Sequence, residues 1–301
     1  MSKKRLIIID SNALIHRAFH ALPPLATKKG ELVNAVYGFL LVFFRAVREL
    51  KPDYIAACFD FPAPTFRHKA FKEYKGKRPP TAEGICQQIP KVKEVLTAFN
   101  VPIFEKEGFE ADDIIGTITE KTADKTENII LSGDLDTLQL VNENTRTYFL
   151  RKGVKDIVLY DENLVKEKYQ GLTPEKLVDF KALRGDPSDN IPGARGIGEK
   201  TAINLILKFG SLEALYKEIE ENSEKSKGVS PKTKEILIKD KDHVFLSKSL
   251  AQIEKKAGID FSLEKCQWQK FDKQEVIKIF EKFEFQSLIK RITELNDART
   301  P

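Results

Sequence analysis

Several residue types that mark particular classes of protein are scarce in this chain. Its 301 residues include three cysteines, four histidines, one methionine and one tryptophan. Cys58, Cys86 and Cys266 are odd in number, lie far apart and form no Cys-x-x-Cys pair, which argues against a disulfide scaffold and a zinc finger. Such a cysteine set is typical of the reducing cytoplasm, where we expect the protein.

Long apolar segments are also missing, and neither sign of charge dominates. No apolar run approaches the roughly 18 residues of a transmembrane helix, and Leu6–Ile9 is too short for a signal peptide, so we expect no membrane partner. Lys and Arg number 50 and Asp and Glu 45, a net charge of +5, with 41% hydrophobic residues. This balance argues against a disordered chain. At roughly 100–200 residues per domain, the length predicts about two domains.

The first half of the chain alternates strand and helix patterns. Short β-branched runs at Arg5–Ile9, Tyr54–Phe59 and Asn128–Leu131 predict buried parallel strands. The predicted helices are Val33–Leu50, Ile89–Phe99 and Ala111–Lys121, and a predicted hairpin pairs Thr147–Leu150 with Asp156–Tyr160. The pattern predicts an α/β fold whose mostly parallel central sheet is flanked by helices.

After about Thr173 the strand patterns fade. The helices predicted there are Pro174–Leu183, Lys200–Lys208, Ser211–Glu220, Pro231–Lys239 and Lys273–Phe283. We place a boundary near 185–187 and predict an α/β domain at 1–182 and a helical domain at 183–295. The segment 220–241 is rich in Lys, Glu and Ser, which favours a solvated connection between helices, with contact to nucleic acid as the alternative.

Each predicted strand is followed by acidic residues. Asp10 and Asp60 come directly after the first two, and Asp134 and Asp136 follow the third. Ligands bind outside the carboxyl ends of the strands in open α/β sheets, so we expect these side chains at one rim. Any one of them could instead cap the next helix. Together they would repel one another unless a cation lay between them.

Two further acidic clusters extend this set. Glu110, Asp112 and Asp113 open a predicted helix, where acids also suit the helix dipole. Asp186 and Asp189 lie at the predicted domain boundary, in a segment that could be an ordinary turn. Oxygen ligands suit Mg²⁺ or Mn²⁺ rather than zinc, and nine carboxylates suffice for two ions. Two ions about 3.5–4 Å apart can stabilise both the attacking and the leaving oxygen of a phosphodiester.

A series of motifs runs in a fixed order from about Leu6 to Leu295. The motifs are Ile9-Asp10, Ala35–Phe39, Phe59-Asp60, Phe66–His68, Glu73–Lys75, Glu110–Asp113, Gly133–Asp136, Leu183–Gly193 and Gly196–Ala202. With them the chain resembles the 5′ nuclease (flap endonuclease) family, most closely the N-terminal 5′→3′ exonuclease domain of bacterial DNA polymerase I. The resemblance implies a 5′-nuclease (PIN-like) fold.

The resemblance also implies that all nine acids are metal ligands. It assigns Asp10, Asp60, Glu110 and Asp112 to a first ion, with Asp113 near by, and Asp134, Asp136, Asp186 and Asp189 to a second. The chain departs from the family at Ser11, where Gly is frequent, and at Leu135, where Lys is usual. Neither position is a ligand, but Leu135 removes a positive charge near the second ion.

The segment 66–93 carries eight Lys or Arg residues against two Glu, with Phe66, Phe71 and Tyr74 interleaved. Its composition fits a solvated basic helix and loop, or a surface that tracks phosphates and stacks on single-stranded nucleic acid. The resemblance implies an arch at about 64–95 through which a free 5′ end passes. It implies that Lys75, Arg78 and Arg17 contact phosphate, and that Phe66, Arg67, Tyr74 and Lys77 bind DNA.

His16 and His20 could share a metal at their i, i+4 spacing, but no further His or Cys accompanies them. We expect packing or polar contacts instead.

The glycine-rich segment 193–201 does not fit two common phosphate-binding motifs. A P-loop needs Lys directly after its last Gly, where this chain has Glu199, and a dinucleotide fingerprint needs a preceding strand. We predict a helix-hairpin-helix at about 191–209, whose amides bind phosphate; a glycine cap between ordinary helices is the alternative. The resemblance implies a helix-three-turn-helix that holds duplex DNA through Gly193, Gly196, Gly198, Lys200 and Thr201, with K⁺ at the hairpin.

Taken together, these features predict a 5′→3′ exonuclease and 5′-flap endonuclease of DNA replication and repair, with two Mg²⁺ or Mn²⁺ ions per site. Its expected partners are DNA with a 5′ flap, nick or single-strand/duplex junction, an RNA primer–DNA hybrid, and a polymerase domain in the same full-length chain. We expect a cytoplasmic monomer. The alternatives are a non-catalytic DNA-junction-binding module, which predicts gaps among the acids, and a PIN-like ribonuclease, which is usually shorter and lacks the hairpin.

Overall fold

The β-branched runs form the centre of a six-stranded sheet in the computed structural model, which describes residues 3–268 and 271–297. The strands are β1 (Lys4–Asp10), β2 (Tyr54–Cys58), β3 (Ile103–Phe104), β4 (Thr126–Ser132), β5 (Thr145–Lys152) and β6 (Asp156–Tyr160). Their order is β3-β2-β1-β4-β5-β6, and all neighbours are parallel except β5 and β6, which form the expected hairpin. The carboxyl ends of β1, β2 and β4 therefore share one edge of the sheet.

Helices cover both faces of the sheet and build the second half of the chain. They are α1 (Ser11–Ala21), α2 (Asn34–Leu50), α3 (Phe66–Ala70), α4 (Glu83–Cys86), α5 (Ile89–Ala98), α6 (Ala111–Thr122), α7 (Glu162–Lys168), α8 (Leu177–Arg184), α9 (Glu199–Phe209), α10 (Leu212–Glu220), α11 (Glu224–Lys227), α12 (Pro231–Lys239), α13 (Lys241–Ala251), α14 (Lys273–Lys282) and α15 (Gln286–Asp297). Within the described ranges, no helix is both long and apolar enough to cross a membrane.

The side chains of β1 explain how the layers form. Ile7 and Ile9 pack in the core shared with α1, α2 and α5, whereas Leu6 and Ile8 pack in the core shared with α6. All four are almost completely buried, as expected for a central parallel strand, which is covered on both faces. Asp10, the last residue of β1, is consequently held at the rim by a strand that cannot shift.

The helical half has a core of its own, but the end of the chain returns to the sheet. Phe180, Ile206 and Leu215 form this core with side chains of α12 and α13. After α13, Ile253 and Cys266 pack in the core beside α6, and α14 and α15 pack against α5 and α2. Residues 183–295 thus contribute to two different cores, and the division at 182/183 stays a prediction.

Two surface segments are less exposed than the sequence suggests. Ile85, Val92 and Val95 are buried in the core beneath α2, so the exposed basic stretch ends near α4 and does not reach residue 95. The segment 220–241 is not a plain solvated connection, because α11 and α12 lie within it and Leu237 is completely buried. In both segments, apolar residues at helical spacing lie among the charged ones, and burying them outweighs the polar composition.

Candidate active site

Two aspartates at strand ends fix the starts of two helices. Asp10 caps α1, since its Oδ1 accepts the Ala13 N–H at 3.1 Å. Asp60 lies two residues after β2, and its Oδ1 accepts the Ala111 N–H at 2.7 Å, at the start of α6. Ser132, the last residue of β4, donates its hydroxyl to Asp10 Oδ2 at 2.5 Å. Asp10 and Asp60 therefore bond to helix starts and also lie with the other acids. These hydrogen bonds hold the two carboxylates at the rim of the sheet.

The acids that follow the strands meet the start of α6 in a cleft of about 380 Å³. The predicted site residues that line it are Asp10, Arg17, Asp60, Lys75, Arg78, Glu110, Asp112 and Asp134. A small adjoining cavity is lined by Asp136 and Asp189 together with Glu110, Asp112 and Asp134. Asp186 is linked to Asp136 through Lys181, which contacts both carboxylates. Eight of the nine predicted acids are thus brought together at one end of the sheet.

Asp113, the ninth acid, has a different environment. It is completely buried, and its two oxygens accept both terminal nitrogens of Arg67 at 2.7 Å each. The N–H groups of Glu110 and Glu254 fill its remaining positions at 3.0 and 2.8 Å. Because all four bonds are made inside the protein, Asp113 has no oxygen left for an ion, and we remove it from the predicted ligands.

Arg67 is equally unavailable to DNA. Besides Asp113, its guanidinium binds the carbonyl oxygens of Leu250 and Gln252 at 2.9 and 2.7 Å, and the residue is 2% exposed. Tyr74 is also buried, and its hydroxyl donates to Glu110 and Asp189 at 3.1 and 3.2 Å. The predicted DNA contacts of both residues need this correction, because a buried and fully bonded side chain cannot stack on a base.

The other members of the basic segment remain accessible. Lys77 is exposed, and the half-buried ring of Phe66 lies 5.9 Å from that of Phe109. The segment is tied to the acidic loop that follows α8, since the Lys75 N–H donates to the Asp189 carbonyl at 2.8 Å and the Asn190 side chain donates to the Glu73 carbonyl at 2.7 Å. These two bonds place the basic side chains directly over the acids.

Burial and mutual repulsion disfavour ionisation on one side of the cleft. Burial, together with the charges of Asp134 and Asp60, raises the pKa of Asp10 to about 7, although the hydrogen bonds from Ser132 and Ala13 act in the opposite direction. The pKa of Asp112 is well above its usual range because of burial and three neighbouring aspartates. Burial likewise raises the pKa of Asp60. Carboxyl groups in these surroundings are stabilised as anions only if a cation approaches them.

Basic side chains neutralise the acids on the other side. Lys75 Nζ lies 2.7 Å from Glu110 Oε1, Arg78 contacts Asp189, and Lys181 Nζ contacts Asp136 and lies 3.0 Å from Asp186 Oδ2. Although burial acts in the opposite direction, Lys75 lowers the pKa of Glu110, and Lys181 lowers that of Asp186 to about 2. The pKa of Asp136 is nevertheless raised to about 6, because burial and Asp134 outweigh Lys181.

The donor chemistry of the cluster fits a hard divalent cation. Its ligand candidates are all carboxylates, the oxygen donors that Mg²⁺ and Mn²⁺ prefer, and the repulsion between Asp10 and Asp112 would be relieved by an ion. In the part of the chain that the structure describes, no three His, Cys, Asp or Glu side chains converge closely enough to hold an ion as they are placed. The basic side chains engaged with Glu110, Asp136 and Asp189 would have to yield to it.

Helix α1 contributes a second wall of the cleft. Arg17 donates to the Gly133 carbonyl at 2.9 Å, and His16 and His20 line the cleft beside it with ring centroids 6.5 Å apart. Burial lowers the pKa of His16, and His20 lowers it further. Asn12, which the sequence did not single out, accepts the Asp60 N–H on its Oδ1 at 3.1 Å. Asn12 and Ser132 carry no local pattern that could have revealed them, since each acts through a residue distant in sequence, and the contact of Lys181 with Asp136 is equally distant.

Helices α8 and α9 are joined by a glycine-rich loop at 185–198. Gly193 is buried with φ +63°, and a Cβ there would lie 2.3 Å from the Gly185 nitrogen, so its role is close packing. Gly198 caps α9, is exposed, and has open space where a Cβ would be. Lys200 and Thr201 follow in the first turn of α9, and Gly196 is exposed. The exposed amides at the start of α9 are therefore free to approach phosphate, whereas Gly193 is not.

Comparison with known sequences identifies this arrangement. A family described as “5′-3′ exonuclease, N-terminal resolvase-like domain” matches residues 5–170, and one described as “5′-3′ exonuclease, C-terminal SAM fold” matches residues 172–274. The chain belongs to the 5′-3′ exonuclease family. The resemblance drawn from the sequence motifs is thereby confirmed.

Relatives of this family include whole polymerases and a free-standing enzyme. DNA polymerase I of Bacillus subtilis is 44% identical over 97% of this chain, which covers 32% of that protein. A 5′-3′ exonuclease of Aquifex aeolicus is 36% identical over 97% of this chain and 96% of its own length. The chain therefore spans about a third of the length of the DNA polymerase I relatives.

Solved structures share the fold at low sequence identity. A bacteriophage T5 flap endonuclease in complex with DNA and metal ions has a TM-score of 0.70 at 19% identity, covering 92% of this chain and all of that one. The catalytic core of Rad2 with a DNA substrate has a TM-score of 0.63 at 15% identity, covering 98% and 93%. The predicted fold class, a mostly parallel sheet with helices and a helical C-terminal domain, is confirmed.

Proposed function

We propose that this chain hydrolyses DNA phosphodiesters in the 5′→3′ direction, at free 5′ ends and at 5′ flaps beside nicks and single-strand/duplex junctions. The observation that carries the proposal is the meeting of Asp10, Asp60, Asp112 and Asp134 in one cleft, beside Lys75 and Arg78. Membership of the 5′-3′ exonuclease family supports it, as does the flap endonuclease neighbour with bound DNA and metal ions.

We assign eight acids to two ions of Mg²⁺ or Mn²⁺. Asp10, Asp60, Glu110 and Asp112 would hold the first, and Asp134, Asp136, Asp186 and Asp189 the second. Bound ions of this kind supply positive charge to the scissile phosphate and lower the pKa of a water molecule. The chain's own part is to present these oxygens in a cleft that the caps on α1 and α6 keep in place.

The basic side chains would position the substrate. In the proposal, Lys75 and Arg78 turn from their carboxylates to the phosphate and stabilise the charge that develops there, and Arg17 contacts a neighbouring phosphate. Gly196, Gly198, Lys200 and Thr201 would hold the duplex backbone without reading its sequence, with K⁺ bound at the hairpin. RNA primers paired with DNA as substrates, a monomeric state and a polymerase domain in the same full-length protein belong to the same proposal.

The test replaces one carboxylate by its amide. Asp60→Asn should abolish cleavage of a 5′-flap duplex, because an amide oxygen is a weaker ligand, while binding of the flap stays within several-fold. Asp242→Asn, at an exposed position on α13, is the matched control and should cleave at the wild-type rate. Cleavage should require Mg²⁺ or Mn²⁺ and stop when a chelator is added.

Two outcomes would favour other functions. Binding of flap DNA without cleavage at any Mg²⁺ or Mn²⁺ concentration would indicate a junction-binding module. Cleavage of single-stranded RNA without cleavage of the flap would indicate a PIN-like ribonuclease. Wild-type cleavage by Asp60→Asn would contradict the assignment of the site.

A further inference from the structure

Two of the acids proposed for the second ion already contact a positively charged side chain of the protein, Lys181. The ammonium of Lys181 lies 3.0 Å from Asp186 Oδ2 and also contacts Asp136 Oδ1. All three side chains are largely shielded, with exposed fractions of 13%, 16% and 22% for Lys181, Asp186 and Asp136. Shielding strengthens the interaction relative to an ion pair on the surface.

The acids proposed for the first ion differ in this respect. Asp10 and Asp60 accept hydrogen bonds from the neutral donors Ser132, Ala13 and Ala111. Throughout the described ranges, neither of them, nor Asp112, has a Lys or Arg nitrogen within the 4.0 Å of an ion pair, although Glu110 has Lys75. The two halves of the site therefore start from different charge: among the described residues, three of the four acids proposed for the first ion have no Lys or Arg partner, whereas Lys181 and Arg78 contact three of the four acids proposed for the second.

The position of Lys181 is set by the fold. Phe180, Ala182 and Leu183 on either side of it are buried in the helical core, so its backbone on α8 cannot move away. Asp186 follows one residue after Gly185, which ends the helix by donating its N–H to the Lys181 carbonyl at 2.8 Å. Leu135, between the paired aspartates, brings no charge of its own. The positive charge at these acids therefore comes from a different element of the fold.

We propose that the Lys181 ammonium is a built-in competitor of the second divalent ion, so that this ion binds more weakly than the first and binds fully only when Lys181 leaves Asp136 or Asp186. The inference rests on the proposed function, because it presupposes that the carboxylates hold two ions. An ion bound to the same oxygens would lie next to the ammonium, and like charges repel. Lys181 acts here as a positioning residue, since it contacts the acids and not the substrate.

The first experiment counts bound ions without DNA or turnover. Mn²⁺ binding to the full chain is measured from the electron paramagnetic resonance signal of the free ion. The wild type should bind one ion tightly and one weakly, and Lys181→Met should bind the second at least about tenfold more tightly, because two carboxylates lose their competing cation. Lys181→Gln, which keeps a polar side chain, should change in the same direction and replaces the first variant if that one does not fold.

The second experiment separates this role from simple structural support. Lys248 on α13 is the matched control, since its Nζ also joins two carboxylates, Asp179 and Glu213, at 2.7 Å each, away from the acid cluster. Lys181→Met should lower the Tm in EDTA, where Asp136 and Asp186 lose the one Lys or Arg nitrogen that the described ranges place within 4.0 Å of them, and much less in Mn²⁺. Lys248→Met should lower the Tm by the same amount in both media and leave Mn²⁺ binding unchanged.

The Mn²⁺ binding and Tm measurements either support or overturn the inference. A second ion that binds Lys181→Met with wild-type affinity overturns the inference, as does a fall in Tm that is equal in EDTA and in Mn²⁺. Tighter binding of the second ion with a fall in Tm confined to EDTA supports it. If the wild type and all variants bind no Mn²⁺, the proposed function itself fails, and the inference fails with it.

Discussion

Two aspartates that are adjacent in sequence have opposite environments in this protein. Asp112 faces the cleft, where burial and three other aspartates raise its pKa. Asp113 is completely buried on the next face of α6 and is bound by Arg67 and two backbone N–H groups. Successive residues of a helix point about 100° apart, so one acidic pair serves both a site and a core. An acidic run at the start of a helix therefore cannot be assigned to one role as a unit.

The largest effect should come from breaking the buried pair. Asp113→Asn removes the nearest charge that compensates Arg67, which stays buried among the carbonyls of Leu250 and Gln252 with Glu110 Oε2 at 3.6 Å. Removing one partner of a buried pair typically costs about 3–5 kcal/mol. We expect a loss of this size in the free energy of unfolding, measured by urea denaturation in EDTA. Asp242→Asn, at an exposed position, should change it little.

A double variant tests the same expectation. Replacing both partners, as in Arg67→Met with Asp113→Leu, should recover part of the loss, because no uncompensated charge remains. A loss below about 1 kcal/mol for Asp113→Asn would mean that the pair contributes no more than an exposed one.

On the cleft side, Lys75 should matter for rate more than for stability. Its Nζ lies 2.7 Å from Glu110 and 3.9 Å from Asp189, so a short movement would bring it to a phosphate bound by the ions that we assign to these acids. Removing one donor aimed at developing charge typically costs about 10²–10³ in rate. We expect Lys75→Ala to lower single-turnover cleavage by about this factor, with a much smaller rise in the Kd for flap DNA. A change below about threefold at saturating DNA would place Lys75 on a merely solvated face.

Gly193 and Gly198, in the loop between α8 and α9, differ much as Asp113 and Asp112 do: Gly193 is buried and Gly198 is exposed. Gly193→Ala should destabilise the fold, since its Cβ would meet the Gly185 backbone, whereas Gly198→Asp should fold normally because the space there is open. An aspartate at 198 would repel phosphate, so Gly198→Asp should weaken binding to every duplex sequence several-fold. The slope of log K against log salt should become less steep by the contribution of about one phosphate contact. Weakening confined to one DNA sequence would exclude backbone binding at this position.

The sequence predicted the parts of the fold that have local periodicity. β1, β2 and β4 were found from β-branched runs, and α2, α5 and α6 from apolar spacing. β3 was missed because it has only two residues, and no turn marks the start of α1, because Asp10 ends β1 and caps α1 at once. Eight of the nine acids lie together, and the shared rim of the strand ends accounts for Asp10, Asp60, Asp134 and Asp136. The pairings of Arg67 and Lys181 were not foreseeable, because they join residues 46 and 45 positions apart.

The smallest effect should appear at Asp112, with a sign opposite to that at Asp113. Because the pKa of Asp112 is raised in the folded state, the native protein binds more protons than the unfolded chain. Its stability therefore falls as the pH rises above the unfolded pKa of about 3.9. Asp112→Asn removes this penalty and should raise the Tm in EDTA at pH 8 by up to about 2–4 °C, the shift that 1 kcal/mol gives in larger domains. The gain should shrink as the pH falls and vanish well below the unfolded pKa of about 3.9, where Asp112 is protonated in both states. It should also shrink in Mg²⁺, which stabilises the wild type more than the variant. A Tm in EDTA equal to or below that of the wild type at pH 8 would show that burial and the neighbouring aspartates do not penalise the ionised form of Asp112.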